Sequence, residues 1–312
     1  MSSTEPMPNP ANWDRVPSPW KDFNPCSPKS LNNILKGLEA APRKRWGQNF
    51  LIDSGAQQNI VRAAGVQPQD HVWEIGPGLG ALTQHLWRNC RNLTLFEIDP
   101  VLLHFYQSRL PDRPDEPAGE TGPCQLVAGD VVKTWCPTGF RNDPDWCPDV
   151  IISNLPYNTA SMIMTMFARE AQFRPRCMVF TVQKEMAERL TAKERSKPYS
   201  SFSVLLQSRF HIECLFDIPA RLFYPEPNVV SSTIRLRPRP HGLNPVQIEE
   251  LERFTRAIFS QRRKTIANNI KSCHYKEQFV ELEAKLAGIG IRCSQRAEEI
   301  TIEQFLALGS QL

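Results

Sequence analysis

Short apolar runs alternate with segments of helical spacing between residues 70 and 239 of the chain. A short apolar run bounded by polar or glycine residues is typical of a buried strand, whereas apolar residues three and four apart indicate a helix. The predicted strands are 71–76, 93–97, 125–128, 150–153 and 178–182, and the predicted helices are 81–88, 101–110 and 161–170. This alternation predicts an α/β fold with a doubly wound, mostly parallel sheet and helices on both faces.

The pattern changes in the last third of the chain. Two more apolar runs, 212–216 and 232–236, predict an antiparallel pair at one edge, which brings the sheet to seven strands. After Pro238 only helical spacing remains, and the predicted helices are 247–270, 276–287 and 302–308. We therefore predict a sheet domain over residues 43–240 and a small all-helical domain over residues 241–312, joined through a linker rich in proline.

Residues 1–42 differ from both predicted domains in their proline content. The eight prolines are Pro6, Pro8, Pro10, Pro17, Pro19, Pro25, Pro28 and Pro42. Because proline lacks a backbone N–H and fixes φ, this density predicts an extended or disordered N-terminal arm. Trp13, Trp20 and Phe23 leave a second interpretation open, in which the arm docks on the domain surface, since a solvated tail seldom carries aromatic residues.

The composition argues against several classes of protein. A chain of 312 residues with 41% hydrophobic residues can bury a full α/β core, yet it contains no apolar run of about 18 residues, so we expect no membrane span. The nine cysteines never form C-x-x-C and the six histidines occur singly, which favours reduced thiols and predicts no metal site. The N-terminal region carries acidic residues and no apolar signal segment, so we expect a cytoplasmic protein.

A glycine-rich segment, EIGPGLG at residues 74–80, follows the first predicted strand and precedes a predicted helix. Gly76 and Gly78 would let the backbone turn tightly and approach a ligand closely. Glu97 ends the second predicted strand, where an acid can accept hydrogen bonds from both hydroxyl groups of an adenosine ribose. Together these signals predict an adenosine-containing cofactor and leave NAD and S-adenosylmethionine both open.

The segment Asn154-Leu155-Pro156-Tyr157 follows the fourth predicted strand and favours methyl transfer to an amine. The adenine amine is a poor nucleophile because its lone pair is delocalised into the ring. The Asn154 side-chain oxygen and the Leu155 carbonyl could hold the amine hydrogens out of the ring plane and restore that lone pair. Pro156 would fix the turn, and Tyr157 would stack on the base.

These motifs make the chain resemble the ribosomal RNA adenine dimethyltransferases, a family that includes the erythromycin-resistance methyltransferases. The resemblance runs from Arg43 to about Glu303 and adds further segments in the family's order. These segments are RKRWGQNFL at 43–51, GD at 129–130, QKE at 183–185, SKPY at 196–199, the Phe and Pro pattern at 223–229 and QRRKT at 261–265. The last segment and the helical tail resemble the ribosome-biogenesis branch, although Trp46 and Ser200 stand where the family usually has phenylalanine and glycine.

The resemblance implies a class I methyltransferase, with a Rossmann-like sheet and S-adenosylmethionine as cofactor. The implied cofactor-binding residues are Gln48, Asn49, Leu51, Gly76, Gly78, Glu97, Ile98, Asp130, Val131 and Asn154. The implied catalytic residues are Asn154, Leu155, Pro156, Tyr157 and Phe223, and the implied RNA-binding residues are Arg43, Lys44, Arg45, Arg262, Arg263 and Lys264. The implied reaction is dimethylation of the N6 amine of two adjacent adenosines near the 3′ end of 16S rRNA, by a monomer that binds the small ribosomal subunit.

Charge supports a nucleic-acid partner for the C-terminal region. Residues 235–276 contain ten basic and three acidic residues, a net charge of +7, whereas the whole chain carries +4. Lysine and arginine contacts to phosphate supply position and much of the affinity for RNA. A solvated charged face is the alternative interpretation of this charge. At two candidate site positions a structural role is also open, because Asp130 could cap a helix and Phe223 could be a core residue.

Three alternative functions remain open at the level of sequence. An NAD-dependent dehydrogenase would use the same glycine turn, but it explains neither residues 154–157 nor the basic tail. An RNA-binding assembly or transcription factor would make methylation secondary. A methyltransferase of the large-subunit rRNA, conferring macrolide resistance, would keep the chemistry and change the target.

Overall fold

The computed structural model describes residues 20, 22–39, 41, 48–87, 89–110, 124–135, 147–170, 175–240 and 243–312. Their strands are β1 (Phe50–Leu51), β2 (His71–Ile75), β3 (Asn92–Glu97), β4 (Cys124–Ala128), β5 (Val150–Asn154), β6 (Cys177–Gln183), β7 (Phe210–Ile218), β8 (Phe223–Tyr224) and β9 (Ser231–Pro238). Their helices are α1 (Pro28–Gly37), α2 (Ser54–Ala64), α3 (Thr83–Leu86), α4 (Pro100–Gln107), α5 (Val131–Thr134), α6 (Ala160–Arg169), α7 (Lys184–Leu190), α8 (Ser201–Arg209), α9 (Pro245–Ile258), α10 (Ile266–Lys271), α11 (Phe279–Gly288) and α12 (Ile302–Gly309). None of these described helices combines the length and the apolar character that a membrane crossing needs.

Seven strands form one sheet in the order β4-β3-β2-β5-β6-β9-β7, which confirms the predicted architecture. The pairs β4–β3, β3–β2, β2–β5 and β5–β6 are parallel, and Glu74 of β2 lies between Leu95 of β3 and Ile152 of β5. Strand order reverses at β2, because β3 and β4 extend to one side of it and β5 and β6 to the other. In open α/β sheets such a switch point leaves a crevice at the carboxyl ends of the strands, here beyond Ile75 and Asn154.

The central strands are buried on both faces, as the continuous apolar runs in the sequence predict. Val72, Leu95 and Ile152 are fully buried, and Ile60 of α2 and Phe105 of α4 belong to the same apolar core. Burying one such side chain contributes about 2 kcal/mol of transfer free energy. The core therefore holds in place the strand ends that border the crevice.

The chain forms two compact units whose segments interleave along the sequence. The first unit contains Met1–Ala160, Pro175–Val182 and Phe216–Arg235, and the second contains Ser161–Arg174, Gln183–Leu215 and Leu236–Leu312. Within the second unit α8 packs against α9 and α12. The C-terminal helices thus share a compact unit with α8, and the predicted domain boundary at residues 240 and 241 stays a prediction.

Helix α1 corrects the expectation of an extended or disordered arm for the part of the arm that the structure describes. Pro28 occupies the first turn of α1, where a missing backbone N–H breaks no helical hydrogen bond, and the Ser27 side chain caps the helix by accepting from Ser30 N. No proline follows until Pro42, so the helix is free to run to Gly37. The number of prolines was misleading because their positions decide whether a helix can form.

The long helix predicted over 247–270 is wrong as a single element. The structure has α9 and α10 instead, separated by a turn that contains Arg262, Arg263 and Lys264. Thr265 ends that turn with an extended backbone, and its side chain accepts a hydrogen bond from Asn268 N, so a new helix begins there. This break places the QRRKT segment in an exposed turn.

Candidate active site

A cleft opens at the carboxyl ends of β2, β3 and β5, where the strand order reverses. The space within it, including the part open to solvent, is about 660 Å³. The lining residues are Gln48, Asn49, Phe50, Leu51, Glu74, Gly76, Pro77, Gly78, Ala81, Leu82, Glu97, Ile98, Leu102, Asn154 and Pro156. The structure thus brings the glycine-rich segment and the Asn154 segment together in one cleft.

The turn after β2 requires glycine at two positions. Gly76 and Gly78 have φ values of +63° and +61°, a conformation that a side chain disfavours. A Cβ atom at Gly78 would also lie 3.2 Å from the ring of Phe50, which lines the cleft as well. The backbone can therefore approach a ligand at this turn, as the sequence predicts.

Glu97 ends β3 with a carboxylate that the backbone holds in place. Its Oε1 atom accepts hydrogen bonds from the backbone N–H groups of Ile98 and Asp99, each at 2.8 Å. Burial raises the pKa of Glu97 to about 7, and these backbone hydrogen bonds oppose that rise. A fixed acid in the cleft wall suits a ligand that carries hydroxyl groups.

Glu74 is a second acid of the cleft, and the sequence analysis did not assign it a role. It is 2% exposed, and its Oε2 atom has no hydrogen-bond partner among the described residues. Burial raises the pKa of Glu74 to about 8. An unpaired carboxyl oxygen in a buried wall is costly unless a ligand satisfies it. The position of Glu74 two residues before Gly76 was the available signal in the sequence.

We expect Glu74→Gln to flatten the pH dependence of stability in the ligand-free protein. The raised pKa means that the folded state holds this proton where the unfolded chain releases it, so the free energy of unfolding falls as pH rises from 4.5 towards 8. In the variant, the free energy of unfolding should fall by up to about 3 kcal/mol less over this pH range than in the wild type. Urea unfolding at about pH 5.5 and about pH 8 measures the difference.

Glu185→Gln is the matched control for this prediction, because Glu185 is exposed on α7. It should leave the wild-type pH dependence unchanged. A wild-type slope in Glu74→Gln itself would contradict the assignment of this proton to Glu74.

Asn154 lies at the end of β5, in the wall of the cleft. Its side-chain Nδ2 donates to the backbone carbonyl of Asn49 at 2.9 Å. This hydrogen bond fixes the orientation of the side-chain amide. Pro156 also lines the cleft, whereas Leu155 is 1% exposed and its N–H donates to the carbonyl of Thr181. The hydroxyl group of Tyr157 shares a 2.6 Å hydrogen bond with Ser231 Oγ.

Three other candidate residues do not line the cleft. Asp130 caps α5, since its Oδ1 accepts from Val132 N at 3.0 Å, and Val131 beside it is buried. Phe223 is 2% exposed and belongs to the apolar core, with β8 paired to β1. In this conformation Asp130 caps a helix and Phe223 is a core residue. The roles of Asp130 in cofactor binding and of Phe223 in catalysis stay predictions.

The candidate RNA-binding residues differ in their surroundings. Arg262 pairs with Glu298 at 2.7 Å and donates to the carbonyl of Lys197, so its guanidinium is engaged within the second unit. Arg263 and Lys264 are exposed and form no ion pair within the described residues. Arg43, Lys44 and Arg45 lie outside the part of the chain that the structure describes.

The fold and the cleft define a class I methyltransferase that uses S-adenosylmethionine. The residues present fit that cofactor: a glycine turn allows close approach, Glu97 offers a fixed acceptor, and the unpaired oxygen of Glu74 suits a ligand with positive charge. Two solved structures share the fold. A dimethyladenosine transferase from Plasmodium falciparum has a TM-score of 0.66 at 22% identity, covering 82% of this chain and 94% of that one. The 23S rRNA methyltransferase ErmE has a TM-score of 0.58 at 24% identity, covering 85% and 99%.

Comparison of sequences shows the family. The family model for ribosomal RNA adenine dimethylase matches residues 40–311. The ribosomal RNA small subunit methyltransferase A of Borreliella afzelii is 37% identical over 293 residues, which cover 93% of this chain and 96% of that protein. The protein of the same name from Treponema denticola is 34% identical over 283 residues, covering 90% and 93%. The chain belongs to the ribosomal RNA adenine dimethylase family, and this membership removes the NAD-dependent dehydrogenase as an alternative.

Proposed function

We propose that this protein uses S-adenosylmethionine to dimethylate the N6 amine of two adjacent adenosines near the 3′ end of 16S rRNA during ribosome biogenesis. It acts as a monomer on the small ribosomal subunit in the cytoplasm. The observation that carries the proposal is the presence of Asn154 and Pro156 in the same cleft wall as Gly76, Gly78 and Glu97. The names of the relatives from Borreliella afzelii and Treponema denticola support the small-subunit target.

The cofactor supplies an electrophilic methyl group on a sulfonium, and the chain's residues hold it and the target base. Glu97 accepts from the ribose hydroxyls, and Glu74 is placed for a positive charge of the cofactor. Gln48, Asn49, Leu51 and Ile98 complete the walls of the cleft. Because the cleft binds the donor at fixed residues, the base need only be brought to it in one orientation.

Asn154 prepares the adenine amine for attack. Its nitrogen is occupied by the Asn49 carbonyl, so the side-chain oxygen is the end that can accept from the amine. With the Leu155 carbonyl as a second acceptor, both amine hydrogens are held and the lone pair points at the methyl carbon. Asn154 and Leu155 would hold the amine while its nitrogen forms a bond to the methyl carbon that the bound cofactor would supply as its carbon–sulfur bond breaks, and the methylated amine would then release one proton.

Tyr157 stacks on the extruded adenine in this proposal. Its hydroxyl group is tethered to Ser231, which fixes the ring, and its side chain is only partly buried. Extrusion of the base from its stack costs a few kcal/mol, about what stacking on one aromatic ring can return. Phe223 would serve as a second stacking surface only in a conformation that exposes it.

The exposed turn between α9 and α10 is the proposed RNA contact in the second unit. We expect the double variant Arg263→Ala and Lys264→Ala to raise KM for the small subunit about tenfold at unchanged kcat, because each lost phosphate contact weakens binding. The slope of log affinity against log salt should become shallower by about 1.5. Binding measured at several salt concentrations tests this.

The matched control removes two exposed lysines of α1, Lys29 and Lys36, by the same change to alanine. If this control and the double variant weaken binding equally, the effect comes from net charge alone. The assignment of RNA contact to the turn would then be wrong.

Incubation of the purified protein with labelled S-adenosylmethionine and unmethylated ribosomal subunits tests the proposed function. We expect two methyl groups on each of two adjacent adenosines of the small-subunit rRNA, located by mass spectrometry. Label confined to the large subunit would establish the resistance-type alternative. Binding of the small subunit without any label would establish the assembly-factor alternative.

A further inference from the structure

Trp20 lies against the glycine-rich turn that follows β2. Its indole Nε1 donates to the backbone carbonyl of Leu79 at 3.1 Å, in a hydrogen bond between residues 59 positions apart. Gly80 has a φ of +88°, and a Cβ atom there would overlap the Trp20 ring. Leu79 and Gly80 are flanked by Gly78 and Ala81, which line the cleft. Trp20 therefore contacts the backbone directly between two cleft-lining residues.

A second contact joins the same N-terminal segment to another residue that lines the cleft. Cys26 Sγ lies 3.4 Å from Gln57 Oε1, and Gln57 Nε2 donates to the backbone carbonyl of Leu51 at 2.7 Å. Gln57 is fully buried, and Leu51 lines the cleft. Residue 26 is thus connected through one buried side chain to β1.

A third contact comes from α1 itself. The Tyr224 hydroxyl donates to Asn32 Oδ1 at 2.7 Å, between residues 192 positions apart. Tyr224 belongs to β8, which pairs with β1 in the register Phe50 opposite Tyr224. Trp20, Cys26 and α1 therefore contact both the glycine turn and, directly or through Gln57, the β1–β8 pair, whose β1 residues Phe50 and Leu51 line the cleft.

We propose that Trp20 and residues 22–37 are a brace for the cofactor cleft and that Trp20 is a positioning residue for the glycine turn. A turn with three glycines at positive φ has many conformations available when nothing restrains it. The buried hydrogen bond from Trp20 and the close fit of its ring restrict these conformations before the cofactor binds. Because the turn is already ordered in the free protein, cofactor binding does not spend free energy on ordering it, and the affinity is higher.

Two tryptophan-to-phenylalanine variants test this role with matched loss of volume. Trp87 packs edge to face against Trp20, with ring centroids 5.9 Å apart, and its own Nε1 is buried without an acceptor among the described residues. Trp20→Phe removes the hydrogen bond to Leu79. Trp87→Phe removes a ring nitrogen that makes no hydrogen bond to any described residue. We expect Trp20→Phe to weaken the Kd for S-adenosylmethionine about fivefold and Trp87→Phe to change it less than about twofold.

Hydrogen exchange of the ligand-free protein supplies a readout that does not involve the loaded enzyme. Amides of residues 76–82 should exchange faster in Trp20→Phe than in Trp87→Phe. A second pair, Asn32→Ala and its exposed neighbour Asn33→Ala, tests the α1 contact without altering the aromatic cluster. Asn32→Ala should weaken cofactor binding about threefold, and Asn33→Ala should not.

Equal cofactor affinity and equal loop exchange within each matched pair would overturn the brace. The inference concerns the cofactor side of the proposed function and is measured by calorimetry without RNA. Failure of the wild-type protein to methylate rRNA would count against the proposed function. The comparisons of cofactor affinity and hydrogen exchange between the variants would still be valid.

Discussion

Replacing Asn154 with alanine should lower kcat at least about a hundredfold while the Kd for S-adenosylmethionine changes by less than about threefold. The reason is that the Asn154 oxygen acts on the amine of the target base, an interaction that strengthens as the amine gains positive charge in the transition state. The side chain also lines the cofactor cleft, where its nitrogen donates to the Asn49 carbonyl. Single-turnover methylation and calorimetry on the same preparation separate the two effects.

Two variants sharpen the Asn154 prediction. Asn33→Ala removes an exposed asparagine of α1 and should keep wild-type turnover. Asn154→Asp keeps an acceptor oxygen but sets a second oxygen against the Asn49 carbonyl, so we expect partial activity at reduced cofactor affinity. Wild-type turnover in Asn154→Ala would remove Asn154 from the proposed mechanism.

Glu97→Ala should weaken S-adenosylmethionine binding by about a hundredfold, and Glu97→Gln by about tenfold. Hydrogen bonds to a charged group contribute about 1.5–3 kcal/mol each, and alanine loses every acceptor whereas glutamine keeps one. The backbone N–H groups of Ile98 and Asp99 hold the wild-type carboxylate in place before the cofactor arrives. Calorimetric titration gives the affinities, and thermal unfolding of each ligand-free variant reports whether the fold is intact.

Asp130 provides the comparison for Glu97. Serine caps helices about as well as aspartate, so Asp130→Ser keeps the cap on α5 and removes only the carboxylate. If Asp130 binds the cofactor adenine as the resemblance implies, this variant weakens binding. If the Kd of Asp130→Ser equals that of the wild type, Asp130 only caps the helix. If Glu97→Ala binds the cofactor with wild-type affinity, Glu97 is not part of the cofactor site.

The sequence predicted the sheet well because each strand carries its own signal. The predicted strand 150–153 is β5, one residue shorter than in the structure, and the predicted edge pair is β7 and β9, which lie next to each other. Burial on both faces makes such runs continuously apolar, so the pattern is local. Helix α1 was missed because proline content was weighed without proline position, and α9 and α10 were merged because helical spacing continues across the turn between them.

Most of the cleft residues could also be predicted from the sequence. Gly76, Gly78, Glu97 and Asn154 lie at strand ends, and parallel strands bring their carboxyl ends to one edge of a sheet. The motif order along the chain therefore implied their proximity. Asp130 and Phe223 differ, since a sequence motif cannot tell whether a side chain faces a ligand, a helix end or the core.

The sequence by itself determined the α/β architecture, the family and the position of the cofactor turn, because these depend on local patterns and on the order of short motifs. Only the tertiary structure decided that Glu74 has a buried oxygen without a partner, that Arg262 is paired while Arg263 and Lys264 are exposed, and that Trp20 contacts Leu79. Burial, pairing and contact between distant residues are properties of the packed chain. They depend on which side chains meet after folding, and no local pattern records that.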